Sequence, residues 1–381
     1  MHRWRNAALM LSMLGMALGL ALAAEPTTAL FRGDGARTGF YPGGLGAGEK
    51  NGPTVFFGST DQDFYALDAV TMNSYWKHHF ETPVISHPIV HAGRVLLGTE
   101  NGNVRAVNAR KQEDIWCQPA GQMYGAPIVV GDRIFLTAYA PKPNAPRGGG
   151  YVYALQWENG KEIWKKQIGS LLDSTPAYCD GVVYAGSNNS CFYALDAATG
   201  AEKWKVITGD TIIASAAFYN GQVWIGSMDG KMYVLDAAAG TEIKKLNMGA
   251  GITTALAIAG DTGYLGLANG NVVALHLKDG VELWRRKDLG YKVTGTPAVA
   301  NDVVYVGTWE NMFYALNTQT GKITWDHQMD DRVVGSAAVW NGIVFVPCCD
   351  DYMHALDAKT GQEKWQAITG NNVITSPVVA D

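Results

Sequence analysis

One phrase is written over and over along this chain, and that repetition restricts the architecture more than any other feature. Tyr193-Ala194-Leu195-Asp196 through Trp204 returns as Tyr314-Ala315-Leu316-Asn317 through Trp325 and as His354-Ala355-Leu356-Asp357 through Trp365. The Leu of the phrase, or Val in its place, falls at Leu67, Val107, Leu155, Leu195, Leu235, Leu275, Leu316 and Leu356, with spacings of 40, 48, 40, 40, 40, 41 and 40 residues. A fixed period of that length marks a repeat architecture whose units cannot bury their apolar faces alone. Within each unit, period-2 apolar runs such as Val182-Val183-Tyr184-Ala185-Gly186 alternate with Gly, Asn and Asp clusters, which predicts four short strands, A to D. Charged residues make up only 17% of the chain, and 45 of its 381 residues are Gly, as expected of strands and tight turns.

Eight four-stranded sheets packed radially bury both faces of every sheet, so the fold class is all-β, an eight-bladed β-propeller spanning residues 53–381. The ends of the chain say how the ring closes. Residues Ile374 to Asp381 read like strand A of the other repeats and then stop, while the first repeat, from Pro53, has only B, C and D. The C-terminal strand is therefore predicted to complete blade one, which removes free sheet edges. Trp76, Trp116, Trp164, Trp204, Trp284, Trp325 and Trp365 stand nine positions after the phrase Leu, where blade five has Lys244. A large flat ring at a recurring interface predicts structural wedges between blades, and a looser or more exposed seam beside Lys244.

Residues 1–24 combine a basic start (His2, Arg3, Arg5) with an uncharged run to Ala24 and small residues at Ala21 and Ala23, and are read as a cleaved signal peptide. An uncleaved anchor is the alternative, because the uncharged run approaches the length of a membrane span. The first cysteine is Cys117, so no lipobox cysteine is expected near the cleavage region, and the mature chain is expected to be periplasmic or secreted without stable membrane insertion. Residues 25–52 form a lead-in. A formal net charge of −5 gives no basic excess for nucleic acid. The eight His residues show no zinc spacing, and neither a haem-attachment motif nor a nucleophile elbow occurs.

The phrase with Ala-Leu-Asp, Gly five positions after the Leu and Trp nine after it resembles the PQQ-like repeat of quinoprotein dehydrogenases, and equally that of the BamB family of outer-membrane assembly proteins. The resemblance covers about residues 53 to 381. Members of the enzyme type hold their cofactor on the face from which the D-to-A and B-to-C loops emerge, so departures from the repeat on that face are the candidate sites. The Pro- and Gly-rich insertion at Ala140–Gly150 in blade three is either a tolerated surface insertion or a partner-docking loop. Cys348-Cys349 stand in the B-to-C turn of blade eight, followed by Asp350. Quinoprotein alcohol dehydrogenases stack a vicinal Cys pair on the quinone plane, although there the pair precedes strand A. The resemblance thus implies Cys348, Cys349, Trp309 and Glu310 as cofactor-binding candidates, with a vicinal disulfide or two separately placed cysteines as the open alternatives. Asp330, Asp331 and Asp350, with Asp351, Asp61 and Asp63 nearby, are candidate ligands for Ca²⁺, which takes about six to eight oxygens.

Two functions follow. The first is a non-catalytic extracytoplasmic propeller, expected to be a monomer, that scaffolds another envelope protein; minimal blades and the lack of a catalytic constellation favour it. The second is a PQQ- and Ca²⁺-dependent dehydrogenase of an alcohol or sugar, with Asp330, Asp331, Asp350 or Glu310 as metal ligand or base. Sugar stacking on Tyr124, Tyr291 and Trp309 is a weaker third.

Overall fold

Strand C of blade four, Cys191–Asp196, shows why the sheets share their faces. Side chains alternate along a strand, so Phe192 and Ala194 enter the apolar cluster with blade five, while Tyr193 and Leu195 enter the cluster with blade three. The computed structural model describes residues 28–29, 39–41, 45, 52–142, 145–169 and 174–381, and the expected signal segment 1–24 lies outside them. Eight sheets carry four antiparallel repeat strands each, and the apolar core falls into eight clusters, one per seam between neighbouring blades. Among the described residues no helix is long and apolar enough to cross a membrane.

The A strands of adjacent blades pack on one another around the axis, so A is innermost. The C-terminal strand Val378–Ala380 pairs antiparallel with Thr54–Gly58 in the register Phe56↔Val378, Val55↔Val379, Thr54↔Ala380, closing the ring. The Thr375 hydroxyl reinforces that joint by accepting the Gly58 N–H at 2.9 Å and donating to its carbonyl at 2.8 Å. The lead-in contributes more than the sequence suggested. Phe40–Tyr41 pairs in parallel with Val379 and Ala380, and Thr28–Ala29 pairs antiparallel with Tyr178 and Cys179 of blade four. Both therefore sit on the axial edge of a blade.

Strand-D tryptophans reach the C-to-D turn of the next blade. A Cβ added at Gly200, in the C-to-D turn of blade four, would lie 2.7 Å from the Trp164 ring of blade three, and Gly240 meets Trp204 at 2.5 Å in the same way. The turn also needs a left-handed backbone, with φ of 72° at Gly200, which glycine adopts without strain. The two repeats without that glycine keep the conformation: Met72 has φ 57° and Gln112 φ 62°. Five of the seven indole N–H groups donate across the seam to the next blade, as from Trp76 to Ala109 O at 3.1 Å and Trp164 to Ala197 O at 3.1 Å, whereas those of Trp204 and Trp365 do not.

The seam beside Lys244 is not left open. Strand B of blade five carries Trp224 where blade four carries Tyr184 and blade seven Tyr305, and Trp224 is 1% exposed in the cluster shared with blade six. Lys244 Nζ donates to Lys278 O at 3.2 Å, standing in for the missing indole N–H, and Leu246 packs on the turn glycine Gly280. The indole has moved to another strand.

Candidate functional site

The B-to-C turns carry a recurring device. In blade one, Asp61 accepts the Tyr65 hydroxyl from its own blade and the Gly370 N–H, at 2.7 Å, from blade eight. In blade five, Asp229 accepts the Tyr233 hydroxyl at 2.6 Å and the Gly209 N–H of blade four at 3.0 Å. Each such Asp clips its turn to the loop of the preceding blade. Burial and the hydrogen bond to Asp229 push the Tyr233 phenol up to about 12.

Blade eight replaces this device. Cys348 stands where blade one has Ser59, and His354 where it has Tyr65, while Asp350 keeps the place of Asp61. His354 Nε2 lies 2.9 Å from Asp350 Oδ2, and its Nδ1 lies 2.7 Å from Glu363 Oε1 on strand D. The His354 and Asp350 side chains are 8% and 6% exposed. Burial alone would lower the His354 pKa, but hydrogen bonds and charge from Asp350 and Glu363 outweigh it and hold the imidazole above its ordinary value. Burial would likewise raise Asp350, and the His354 contact reverses that, leaving the carboxyl below its ordinary range. Burial pushes the Cys348 thiol well up; its Sγ donates to Asp331 O at 3.2 Å. Donor atoms of Cys348, Asp350 and His354 all lie within 4.8 Å of one another.

The other sequence candidates are spread over this face. Cys349 is 5% exposed, its thiol raised to about 11 by burial, and all five cysteines are free thiols. With Cys348 fully buried, the pair offers no open surface on which a flat quinone could stack. Trp309 is half-buried, with Lys292 Nζ 5.0 Å and Arg332 5.3 Å from its ring centroid, and it donates to Thr294 Oγ1 at 3.0 Å. Glu310 and Asp330 are exposed, and Asp331 pairs with Arg332 at 3.5 Å. Asp63 is taken by Lys77 at 2.7 Å and His79 at 2.8 Å. Among the described residues, the group that could converge on a metal contains Asp350 but neither Asp330 nor Asp331. Histidine spacing alone does not point to His354 and Glu363; the exchange of Tyr for His inside the repeated phrase is the sequence signal that does.

Two further cavities are lined by other residues. At the axis, about 140 Å³ is lined by Thr175, Ser215, Thr296, Ser336, Ser376 and His87 among others. Backbone N–H groups donate round this ring to the next blade's side chain, from Ala126 to Thr175 at 2.9 Å, Thr175 to Ser215 at 3.1 Å, Ser336 to Ser376 at 2.9 Å and Ser376 to His87 Nδ1 at 2.8 Å. The ring residues thus spend their side chains on holding blades together. Between blades two and three a cavity of about 560 Å³ is lined by Glu100, Gln122, Tyr139, Tyr153, Glu162 and Lys165 among others. Beside it the blade-three insertion forms an extended hairpin, because strands Arg133–Lys142 and Ala145–Gln156 continue the sheet where other blades stop.

Repeat, ring closure and wedge pattern together define an eight-bladed propeller of PQQ-like repeats. The family model described as outer membrane protein assembly factor BamB matches residues 39–168, 148–287 and 268–380, and the chain belongs to that family. It is 29% identical over 163 residues to outer membrane protein assembly factor BamB of Yersinia pestis, covering 36% of this chain and 37% of that one. The Vibrio cholerae protein of the same name is 30% identical over 100 residues, 23% of this chain and 24% of that one. The chain thus aligns with well under half the length of these curated relatives. Among solved structures, BamB from Moraxella catarrhalis has TM-score 0.64 at 20% identity, covering 77% of this chain and 90% of that one. Quinohemoprotein alcohol dehydrogenase from Comamonas testosteroni has TM-score 0.64 at 14% identity, covering 82% and 72%. At such identities the two structures speak for the fold alone.

Proposed function

We propose that the protein is an extracytoplasmic, non-catalytic propeller that binds another envelope protein and supports its assembly, acting as a monomer after loss of residues 1–24. Membership of a family described by outer membrane protein assembly carries this reading. The chemistry of the loop face supports it. Buried thiols, an axial cavity of about 140 Å³, and acids engaged with lysine, histidine or arginine do not fit a quinone chamber, since pockets for drug-sized ligands run to roughly 300–1,000 Å³.

The blade-three hairpin and the cavity beside it are the proposed contact. Its strands pair with each other out to Lys142 and Ala145, past the Gly150–Gly169 pairing with strand D, and such a projecting hairpin suits docking of a partner segment by strand addition. The test compares mature protein with a variant whose residues 139–150 are replaced by a two-residue turn, in cross-linking of envelope fractions from the source organism. A specific partner captured by the first and lost from the second is the expected result. Equal capture by both would move the contact elsewhere on the ring. Saturable, Ca²⁺-dependent binding of PQQ by calorimetry would overturn the non-catalytic reading and favour the dehydrogenase.

A further inference from the structure

We propose that Cys348, Asp350 and His354 form a binding site for a divalent transition cation of borderline softness, zinc(II) in the first instance, with Glu363 orienting the histidine. The argument begins with the repeat. At two buried positions, one in the B-to-C turn and one in strand C, blade eight exchanges the hydroxyl of Ser59 for a thiol and the phenol of Tyr65 for an imidazole, both of them around the carboxylate that the template retains. A hydrogen-bonding clip needs neither change, as Asp61 and Asp229 show. Thiolate, imidazole and carboxylate are the donor set that zinc takes.

The geometry fits the chemistry. Zinc with bonds of roughly 2.0–2.3 Å to N, O and S holds its donors about 3.3–3.6 Å apart when tetrahedral. Here Nε2 and Oδ2 are 2.9 Å apart, and all three donor atoms lie within 4.8 Å, so closing the widest pair takes at most about 1.5 Å shared between two side chains. Glu363 approaches the other ring nitrogen at 2.7 Å, the carboxylate–histidine arrangement that fixes which nitrogen faces a metal. Side-chain exposure of 8% and 6% keeps His354 and Asp350 from competing water. A fourth ligand would be water or the Asp331 carbonyl, which already lies 3.2 Å from Cys348 Sγ. Binding releases two protons to solvent, one from the Cys348 thiol and one from His354 Nε2, and two metal bonds take the place of the His354–Asp350 hydrogen bond while Nδ1–H stays on Glu363.

The experiment uses the full mature chain without a histidine tag, dialysed and kept reduced by a non-chelating phosphine. Zinc content after gel filtration and titration with cobalt(II) are measured for the parent, Cys348→Ser, His354→Tyr and Glu363→Gln. The parent is expected to hold one zinc per chain and, with cobalt, to show the near-ultraviolet charge-transfer band of a thiolate–metal bond. Cys348→Ser should lose that band. His354→Tyr, which installs the residue that blades one, three, four, five and seven already use, should retain no stoichiometric zinc while keeping the parent's circular dichroism. Glu363→Gln should bind about 10–100-fold more weakly, as for other residues that orient a ligand. A parent that binds no stoichiometric zinc or cobalt, or cobalt spectra and zinc content unchanged in both Cys348→Ser and His354→Tyr, would overturn the site and leave an ion-pair network.

Discussion

Blades five and eight each break the repeat at positions that other blades keep, and they end differently. Blade five loses its strand-D indole to Lys244 and regains one from strand B at Trp224, so shape is conserved while the sequence position moves. Blade eight keeps the shape of its turn and changes what the turn is made of, with Cys348 and His354 round Asp350. The lesson is that packing tolerates relocation, because any strand facing the seam can supply the ring. A donor set has no such freedom, since its atoms must converge on one point.

Trp224→Ala breaks the packing side of that comparison most directly. Truncating a buried Trp costs about 3–5 kcal/mol, against less than about 1 kcal/mol for Lys244→Ala, a partly exposed side chain away from the core. Denaturant midpoints of the two variants should therefore differ widely; similar midpoints would mean that Trp224 does not hold the seam. Next in size is Lys244→Trp. With Trp224 present, a second indole overpacks the seam and should cost about 2 kcal/mol. Adding Trp224→Tyr, the pairing that blade four uses as Tyr184 and Trp204, should restore most of the loss, and this non-additivity is the readout.

Much of this was legible in the sequence, and the reason is periodicity. Eight repeats state the blade number, the strand alternation and the wedge Trp many times over, and the unpaired final strand announces the closure. What stayed hidden was relational. That Trp224 replaces the missing ring, or that Phe40–Tyr41 lies beside Val379, depends on which strands face each other across the ring. The site behaved likewise. Cys348-Cys349 stood out as a doublet, yet the structure separates their surroundings and joins Cys348 to His354, six positions on, across the B-to-C turn. Asp330 and Asp331 looked convergent because their loops are neighbours, whereas Asp331 turns to Arg332 and Asp330 to solvent.

The template turn offers a finer test of what blade eight gave up. Tyr65→Phe removes the donor to Asp61, the carboxylate that also holds Gly370 at the closing seam, and should cost about 1.5 kcal/mol, the low end for a bond to a charged group. In blade four the neutral Asn189 donates to the Tyr193 hydroxyl at 3.1 Å, and Tyr193→Phe should cost only about 0.5–1 kcal/mol. Equal losses in thermal melts would deny any special role to the charged clip.

The smallest effect concerns the C-to-D turn of blade eight, on the opposite end of the same strands. Hydrogen bonding from Lys364 at 3.0 Å, assisted by the backbone and hydroxyl of Thr360, lowers Asp357 from 3.8 to about 2. A carboxyl depressed in the folded state contributes stability that is complete above its unfolded pKa and is lost as pH falls through the folded value. The window here is therefore pH 3.8 down to about 2. Blade seven already makes the turn with neutral Asn317, which accepts Thr320 N–H at 3.0 Å, so Asp357→Asn should fold normally and differ by less than about 1 kcal/mol at neutral pH, as befits an exposed pair. Across the acid window its denaturation midpoint should fall less steeply than the parent's. Parallel slopes would place the acid sensitivity in other carboxylates, with Asp68, depressed against its burial by the Tyr75 hydroxyl and then the turn, and Asp196, depressed by Thr199 of its turn, as the next to exchange.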